Sequence, residues 1–375
     1  MDFDFTDDQE SLRDAVRRWV DRGFSFERRH ALARAGGASR AVYTELAELG
    51  LAGLVVPEAH GGLGQGAVDA MVVCEELGRG LVNAPYAAAA LMTPVLLAAA
   101  PAGLQADWLP RIATSQALVV PALQERAGRY HLNRVATRAR QQEDAWLLDG
   151  SKCVVPGGDE ADAFLVPARV AGADTDTAGI ALFLVTRDAA QVAGYATQDG
   201  GRAADIRLSS TPAALITLQG HAVVEAAVDS GIAAQCAEAV GLMDRLVAIT
   251  VDYMNTRKQF GSTLASFQAL RHRVADVKMQ LELGRSMSYY ASLKLAEPTA
   301  QRRRAVSQAR VQLGLSMRFV GQQCIQLHGG IGCTDDYIAS HYFKRLTMLE
   351  LSLGDTLFHL GEVSARMQDS AGVFA

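Results

Sequence analysis

The stretch Gln326-Leu327-His328-Gly329-Gly330-Ile331-Gly332 carries the most chemistry in its spacing. Glycines at this density let a backbone come close to a ligand, because no Cβ stands in the way. The next carboxylates are Asp335, Asp336, Glu350 and Asp355, the last within Gly354-Asp355-Thr356. The pattern describes an extended ligand lying across bare backbone with a carboxylate near it. A second segment, Arg257-Lys258-Gln259-Phe260-Gly261 with Phe267-Gln268 after it, adds a permanent cation, an aromatic ring and an amide. Every one of these residues also has a plainer reading. Arg257 fits a helix surface, Phe260 a core, Gln268 a cap or bridge between helices, and the glycine run a helix stop. His328 reads as a packing or hydrogen-bonding residue rather than a catalyst. Asp355 reads equally well as the cap of a helix starting Thr356-Leu357-Phe358.

The elements that must position these residues follow from periodicity. Residues 1–113 read as helices. Thr6-Asp7-Asp8-Gln9 fits a capping box, and Leu12, Val16 and Trp19 follow at helical spacing. A helix around 40–50 ends in Leu49-Gly50, Leu54 to Gly64 breaks helical order, and Val68 to Leu77 resumes it. Residues 114–215 change character. Val119-Val120, Ala145 to Leu148, Cys153 to Val155, Phe164 to Val166 and Ile180 to Val185 are short apolar runs, and Asp149-Gly150 is a hairpin signal. Residues 216–375 return to helices, with Phe267, Leu270, Val274, Val277 and Leu281 spaced by threes and fours as in an antiparallel bundle. The expected class is α+β, with an N-terminal helical domain, a small antiparallel β-barrel or sandwich and a C-terminal four-helix bundle.

Composition narrows the function. The chain has 375 residues, 49% hydrophobic and 21% charged, enough for a large core over two or three domains. Its net charge of −5, with 36 Lys and Arg spread along the chain, gives no basic patch for nucleic acid. The one run, Arg302-Arg303-Arg304, reads as a solvated helix start or loop. The acidic opening Met1 to Phe5 lacks the positive charge of a secretory or transit peptide. The apolar stretch from Ala87 to Ala102 is interrupted by Pro94 and Pro101, so no transmembrane helix is expected. Cys74, Cys153, Cys236, Cys324 and Cys333 are odd in number and widely spaced. They read as buried free thiols in a reducing, cytoplasmic compartment, not as a zinc site.

Three segments together carry a family resemblance: Pro57-Glu58-x-x-Gly61-Gly62-x-Gly64, Arg257-x-Gln259-Phe260-Gly261 with Gln268, and Gln326-x-x-Gly329-Gly330-x-Gly332. In order and at matching positions, they resemble the acyl-CoA dehydrogenase family of flavoproteins over nearly the whole chain. Thr197 to Gly200, Cys236 to Gly241, His341 to Met348 and Gly354 to Thr356 resemble one branch of it, the small subunits of pimeloyl-CoA dehydrogenase. The resemblance implies FAD held between subunits of a homodimer, homotetramer or heterotetramer with a paralogous chain. Arg257 would contact the pyrophosphate, whose oxygens suit a guanidinium's forked donors. Phe260 would pack near the flavin or adenine, and Gln268 would be a polar contact. Gln326, Gly329, Gly330 and Gly332 would admit the adenosine diphosphate end from a neighbouring subunit. The implied reaction is α,β-dehydrogenation of an acyl-CoA thioester of dicarboxyl, branched or bulky kind, with electron-transfer flavoprotein as acceptor.

The chain also departs from the family. Where most members place a glutamate, this sequence has Gly354, and Asp355 one residue later becomes the candidate base. An alternative family position falls near Gly231, again without a carboxylate. Glu238 and Asp244 lie in an apolar bundle segment, and family motifs make neither the base. The Trp-x-Thr segment that contacts flavin corresponds to Val154-Val155-Pro156, where proline has no donor. Backbone groups of Val155 or Gly157 are the expected substitutes. The Thr-Glu-Pro-Gly loop corresponds to Gln124-Glu125-Arg126-Ala127. A chain that completes the flavin site of a paralogous subunit without doing chemistry is the second expectation, and a flavoenzyme of this fold with other chemistry the third.

Overall fold

The computed structural model describes residues 4–37, 39–143 and 145–367, so the opening Met1–Phe3 lies outside the described residues. The helices in the first part are α1 (Asp7–Gly23), α2 (Phe26–Arg34), α3 (Ser39–Glu48), α4 (Ala67–Arg79), α5 (Thr93–Leu97) and α6 (Ala102–Ala113). The strands are β1 (Val119–Pro121), β2 (Arg138–Gln142), β3 (Ala145–Pro156), β4 (Ala163–Arg169), β5 (Ile180–Thr186), β6 (Gln191–Ala196) and β7 (Arg202–Thr217). Then come α7 (Gly220–Thr256), a short hairpin of β8 (Lys258–Gln259) and β9 (Ser262–Thr263), α8 (Gln268–Leu293), α9 (Thr299–His328), α10 (Ile338–Glu350) and α11 (Thr356–Ala365). This is the expected α+β order of helices, strands and helices. No helix among the described residues is long and apolar enough to cross a membrane.

The chain divides into two compact units. One comprises the residues up to 29, 67–82 and those from 232 on; the other comprises 30–66 and 83–231. The first unit is helical. α1 starts at the capping box, with Thr6 Oγ1 accepting from Gln9 N at 3.3 Å and Gln9 Oε1 accepting from Thr6 N at 3.1 Å. α4 and α7 cross at two glycines. A Cβ on Gly78 would lie 2.9 Å from the Glu238 carbonyl carbon, and one on Gly241 would lie 2.8 Å from that of Glu75. Only bare backbone allows that approach. Of the stripe on α8, Val277 and Leu281 are buried, and Phe267, Leu270 and Val274 are half-buried. α8 and α9 are tied by Ser316 Oγ, which donates to Gln280 O at 2.9 Å. Arg303, expected in a solvated run, is instead buried, 3.8 Å from Glu362.

The second unit closes its sheet. β4 pairs with β2 and β5, β3 with β2 and β7, and β7 with β5, which makes a barrel; β1 joins β4 and β6 joins β7. The barrel is not wholly antiparallel, since β1 runs parallel to β4 and β2 meets β4 in parallel at Arg138 and Arg169. Arg169 pins that corner from within: it is buried and donates to the carbonyls of Asn133 (2.8 Å), Asp176 (2.9 Å) and Val135 (3.2 Å). The hairpin expected at Asp149-Gly150 is not there. Both residues lie within β3, and a Cβ on Gly150 would sit 2.7 Å from Thr137 Cα. Glycine serves close approach at this point rather than a turn. The connection from β2 to β3 runs through Glu143, at φ +52°. Cys74, Cys153, Cys236 and Cys324 are buried free thiols as expected, whereas Cys333 is exposed.

Candidate cofactor and active site

The two glycine-bearing segments of the helical unit meet at one end of the bundle. Tyr253, in the last turn of α7, has its ring centroid 4.7 Å from that of His328 at the end of α9, and Tyr337 lies 5.2 Å from His328. Neither tyrosine stands in a motif, so sequence reasoning missed both. His328 is buried, and its Nδ1–H donates to Cys324 O at 2.8 Å. Burial pulls its pKa below the ordinary histidine value, so it stays neutral and packs, as its sequence context implied.

From this cluster the two segments run outward. Arg257 N donates to Tyr253 O at 2.8 Å, and Leu264 N donates back to Arg257 O at 2.9 Å, which sets Arg257 at the root of the β8–β9 hairpin. The hairpin turn is Phe260-Gly261, with φ of +53° and +78°, as a two-residue turn of the primed kind requires. A bulky residue rarely adopts that conformation. Here it holds the Phe260 ring 92% exposed, edge-on to Phe267 at 6.3 Å. Gln268 is exposed at the first turn of α8. On the other segment Gln326, Gly329 and Gly330 are exposed. Gly329 has φ +65°, and a Cβ on either glycine would meet nothing within 4 Å. Gly332 differs: it is buried, and a Cβ there would lie 2.8 Å from His328 Cβ. Its place in the motif is to close the turn. The early glycine motif is also a packing turn, since Gly62 lies against Val56 and Gly64 N donates to Val56 O at 2.9 Å.

The turn between α10 and α11 holds the candidate base. Asp355 is half-buried and caps α11, its Oδ1 accepting from Phe358 N at 2.8 Å. Glu350 is buried and accepts from Thr356 N at 3.2 Å and Thr356 Oγ1 at 2.7 Å. Leu353 and Gly354 both have positive φ, +55° and +112°. One face of α9 grips the turn. Arg310, buried, donates to the carbonyls of Leu349, Ser352 and Gly354, and Ser307 meets His359 at 3.3 Å. Gly314 leaves a notch for Thr356, whose Cβ would be 3.2 Å from any Cβ at that position. Glu238 and Asp244, the two carboxylates of the apolar bundle segment, have structural partners. Arg345 binds both oxygens of Glu238, at 2.6 and 3.0 Å, and Arg285 holds Asp244 at 3.1 Å.

In the β unit, Glu125 and Lys152 form a buried ion pair at 2.6 Å, with Thr137 Oγ1 donating to the same carboxylate at 2.7 Å. Burial presses the carboxyl up, but Lys152, Thr137 and Ala136 N outweigh it and hold Glu125 below the ordinary glutamate value. Beside the pair, β3 bulges opposite Asp205. Val154, β-branched and at φ +53°, donates its N–H to Asp205 Oδ1 at 3.2 Å. Gly157 N donates to Arg202 O at 3.0 Å, so of the two backbone groups expected to replace the missing threonine, that of Gly157 is already engaged.

These surfaces sort by fit. The bundle end offers a guanidinium, an exposed ring, two amides and two glycines with open space above them, which suits a long pyrophosphate-bearing cofactor. In the stretch Val154 to Gly157, the N–H groups of Val154 and Gly157 are already bonded and Pro156 has none.

Comparison with known proteins bears on the family. Residues 6–116 match the family model for the acyl-CoA dehydrogenase N-terminal domain, and 219–368 match that for the C-terminal domain. The acyl-CoA dehydrogenase IpdE2 of Mycobacterium tuberculosis is 31% identical over 84% of this chain and 83% of its own. The probable acyl-CoA dehydrogenase YngJ of Bacillus subtilis is 25% identical over 94% of this chain and 96% of its own. A solved structure described as the Tcur3481-Tcur3483 steroid ACAD superposes with a TM-score of 0.85 at 26% identity, covering 97% of this chain and 99% of that one. The chain therefore belongs to the acyl-CoA dehydrogenase family of FAD-dependent oxidoreductases.

Proposed function

We propose that this chain works in the FAD-dependent α,β-dehydrogenation of an acyl-CoA thioester, in an oligomer whose cofactor lies between chains. The observation that carries this reading is the shared end of the bundle, where the segment that bears Arg257, Phe260 and Gln268 and the segment that bears Gln326, Gly329 and Gly330 meet through Tyr253 and His328. FAD, when bound, would supply the hydride acceptor for the substrate β-carbon. Arg257 supplies fixed positive charge for the pyrophosphate. Gly329 and Gly330 let backbone approach the adenosine diphosphate end. Phe260, standing out from the hairpin, covers the cofactor from a neighbouring copy or a paralogue. Electron-transfer flavoprotein is the proposed acceptor. A bulky or dicarboxyl acyl group is the proposed substrate, in line with the pimeloyl-type segments and the steroid ACAD named above.

The reaction needs a carboxylate at the α-carbon, and Asp355 is this chain's candidate. One observation favours a second reading, in which the chain is the half-site partner of a base-bearing paralogue: the Asp355 carboxylate already caps α11. Asn caps a helix about as well as Asp, so Asp355→Asn separates the two. If Asp355 is the base, the variant keeps its flavin and the colour no longer bleaches on addition of acyl-CoA. Unchanged bleaching assigns Asp355 to capping alone. For Arg257→Ala, FAD binding is expected to weaken by about 10- to 100-fold, the usual worth of charge-assisted bonds to phosphate. Retention of flavin through gel filtration, equal to that of the unaltered chain, would remove Arg257 from the cofactor site.

A further inference from the structure

We infer that His359 is a steric plug: its ring fills the place of any side chain at position 354, so the turn between α10 and α11 is built to exclude a base there. The absent glutamate is then a feature of the packing and not a lone substitution. Gly354 has φ +112°, and a Cβ on it would fall within contact distance of His359 Nε2 and only 2.8 Å from His359 Cδ2 and Phe358 Cδ1. Real Cβ atoms do not come so close, so one group would have to shift.

The ring is in no position to yield. His359 is buried, with Nε2–H donating to Leu353 O at 3.1 Å and Nδ1 accepting from Ser307 Oγ at 3.3 Å. Both nitrogens are occupied, and burial beside Arg310 pushes the pKa down to about 3, which keeps the ring neutral and a poor base. The backbone is fixed as firmly. Arg310 gathers the carbonyls of Leu349, Ser352 and Gly354, and Thr356 sits in the Gly314 notch. Ser307, Arg310 and Gly314 are spaced by three and four residues on one face of α9, so a single helix surface holds plug and turn together.

The test uses the full chain and two readouts. Gly354→Ala is expected to lower the melting temperature by about 5 °C, and by less in a His359→Ala background, because the clash with the ring is gone while the φ of +112° and the Phe358 contact remain. His359→Asn serves as background if His359→Ala does not fold. The second readout rests on the dehydrogenation reading. Acyl-CoA is incubated in deuterium oxide, where a carboxylate at 354 would remove an α-proton and return a deuteron without moving electrons. Gly354→Glu combined with His359→Ala is expected to exchange at least about tenfold faster than Gly354→Glu alone. Thermal losses that simply add, or a combined variant that exchanges no faster than Gly354→Glu alone, would overturn the plug. Neither result bears on whether the chain binds FAD, which the Arg257 variant reads separately.

Discussion

Arg310→Met is expected to lower the stability of the helical unit by about 3–5 kcal/mol, because each buried carbonyl left without a donor costs about 1–3 kcal/mol. Three carbonyls, those of Leu349, Ser352 and Gly354, converge on this guanidinium. Relief of the desolvated cation offsets part of the loss. Leu353, held at φ +55°, stores about 1–3 kcal/mol of strain that only its surroundings maintain, and its release offsets a further part. With Arg310 gone, the turn can relax, and Asp355 and His359 lose their set positions. Chemical denaturation reads the stability. Hydrogen exchange over 349–359 reads the turn and should rise well beyond that of α8. A loss below about 1 kcal/mol, with exchange unchanged, would show that α9 does not hold this turn.

The second large effect lies in the barrel. Lys152→Met should cost about 3–5 kcal/mol, since it strands the buried Glu125 carboxylate. Adding Glu125→Gln removes the stranded charge while keeping an acceptor for Thr137 and Ala136 N, and should recover more than half of the loss. The pH dependence follows from the same pair. The folded Glu125 carboxyl lies below its ordinary value of 4.5, so its contribution is fully present above 4.5 and fades as pH falls through the folded value. Lys152→Met should abolish this acid limb. Urea midpoints from pH 7 to pH 3 would check it, and an identical acid limb in the variant would contradict the assignment.

Much of the fold was legible in the sequence because it rests on local rules. The Thr6-Gln9 box appears as a reciprocal pair of hydrogen bonds, and the spacing of Val277 and Leu281 appears as a buried stripe. Where the local rule failed, a distant contact had taken over. Asp149-Gly150 has the composition of a turn, but Thr137 needs the missing Cβ inside a strand. Arg303 has the charge of a surface residue, but Glu362, 59 positions later, lies beside it in the fold.

The site divides along the same line. The sequence by itself determined which chemical groups are offered: a guanidinium at 257, bare backbone at 329 and 330, an acid at 355 and no glutamate at 354. Types and short spacings are properties of the chain, and they suffice to name a family. What the tertiary structure alone decided is which of those groups are accessible for chemistry. Gly329 and Gly330 face open space while Gly332 is packed, Gly157 N–H is spent on Arg202, and position 354 is walled by a histidine five residues on and held by an arginine 44 residues back. Such outcomes depend on volume and hydrogen-bond partners brought together by long-range packing, which no short window of sequence contains.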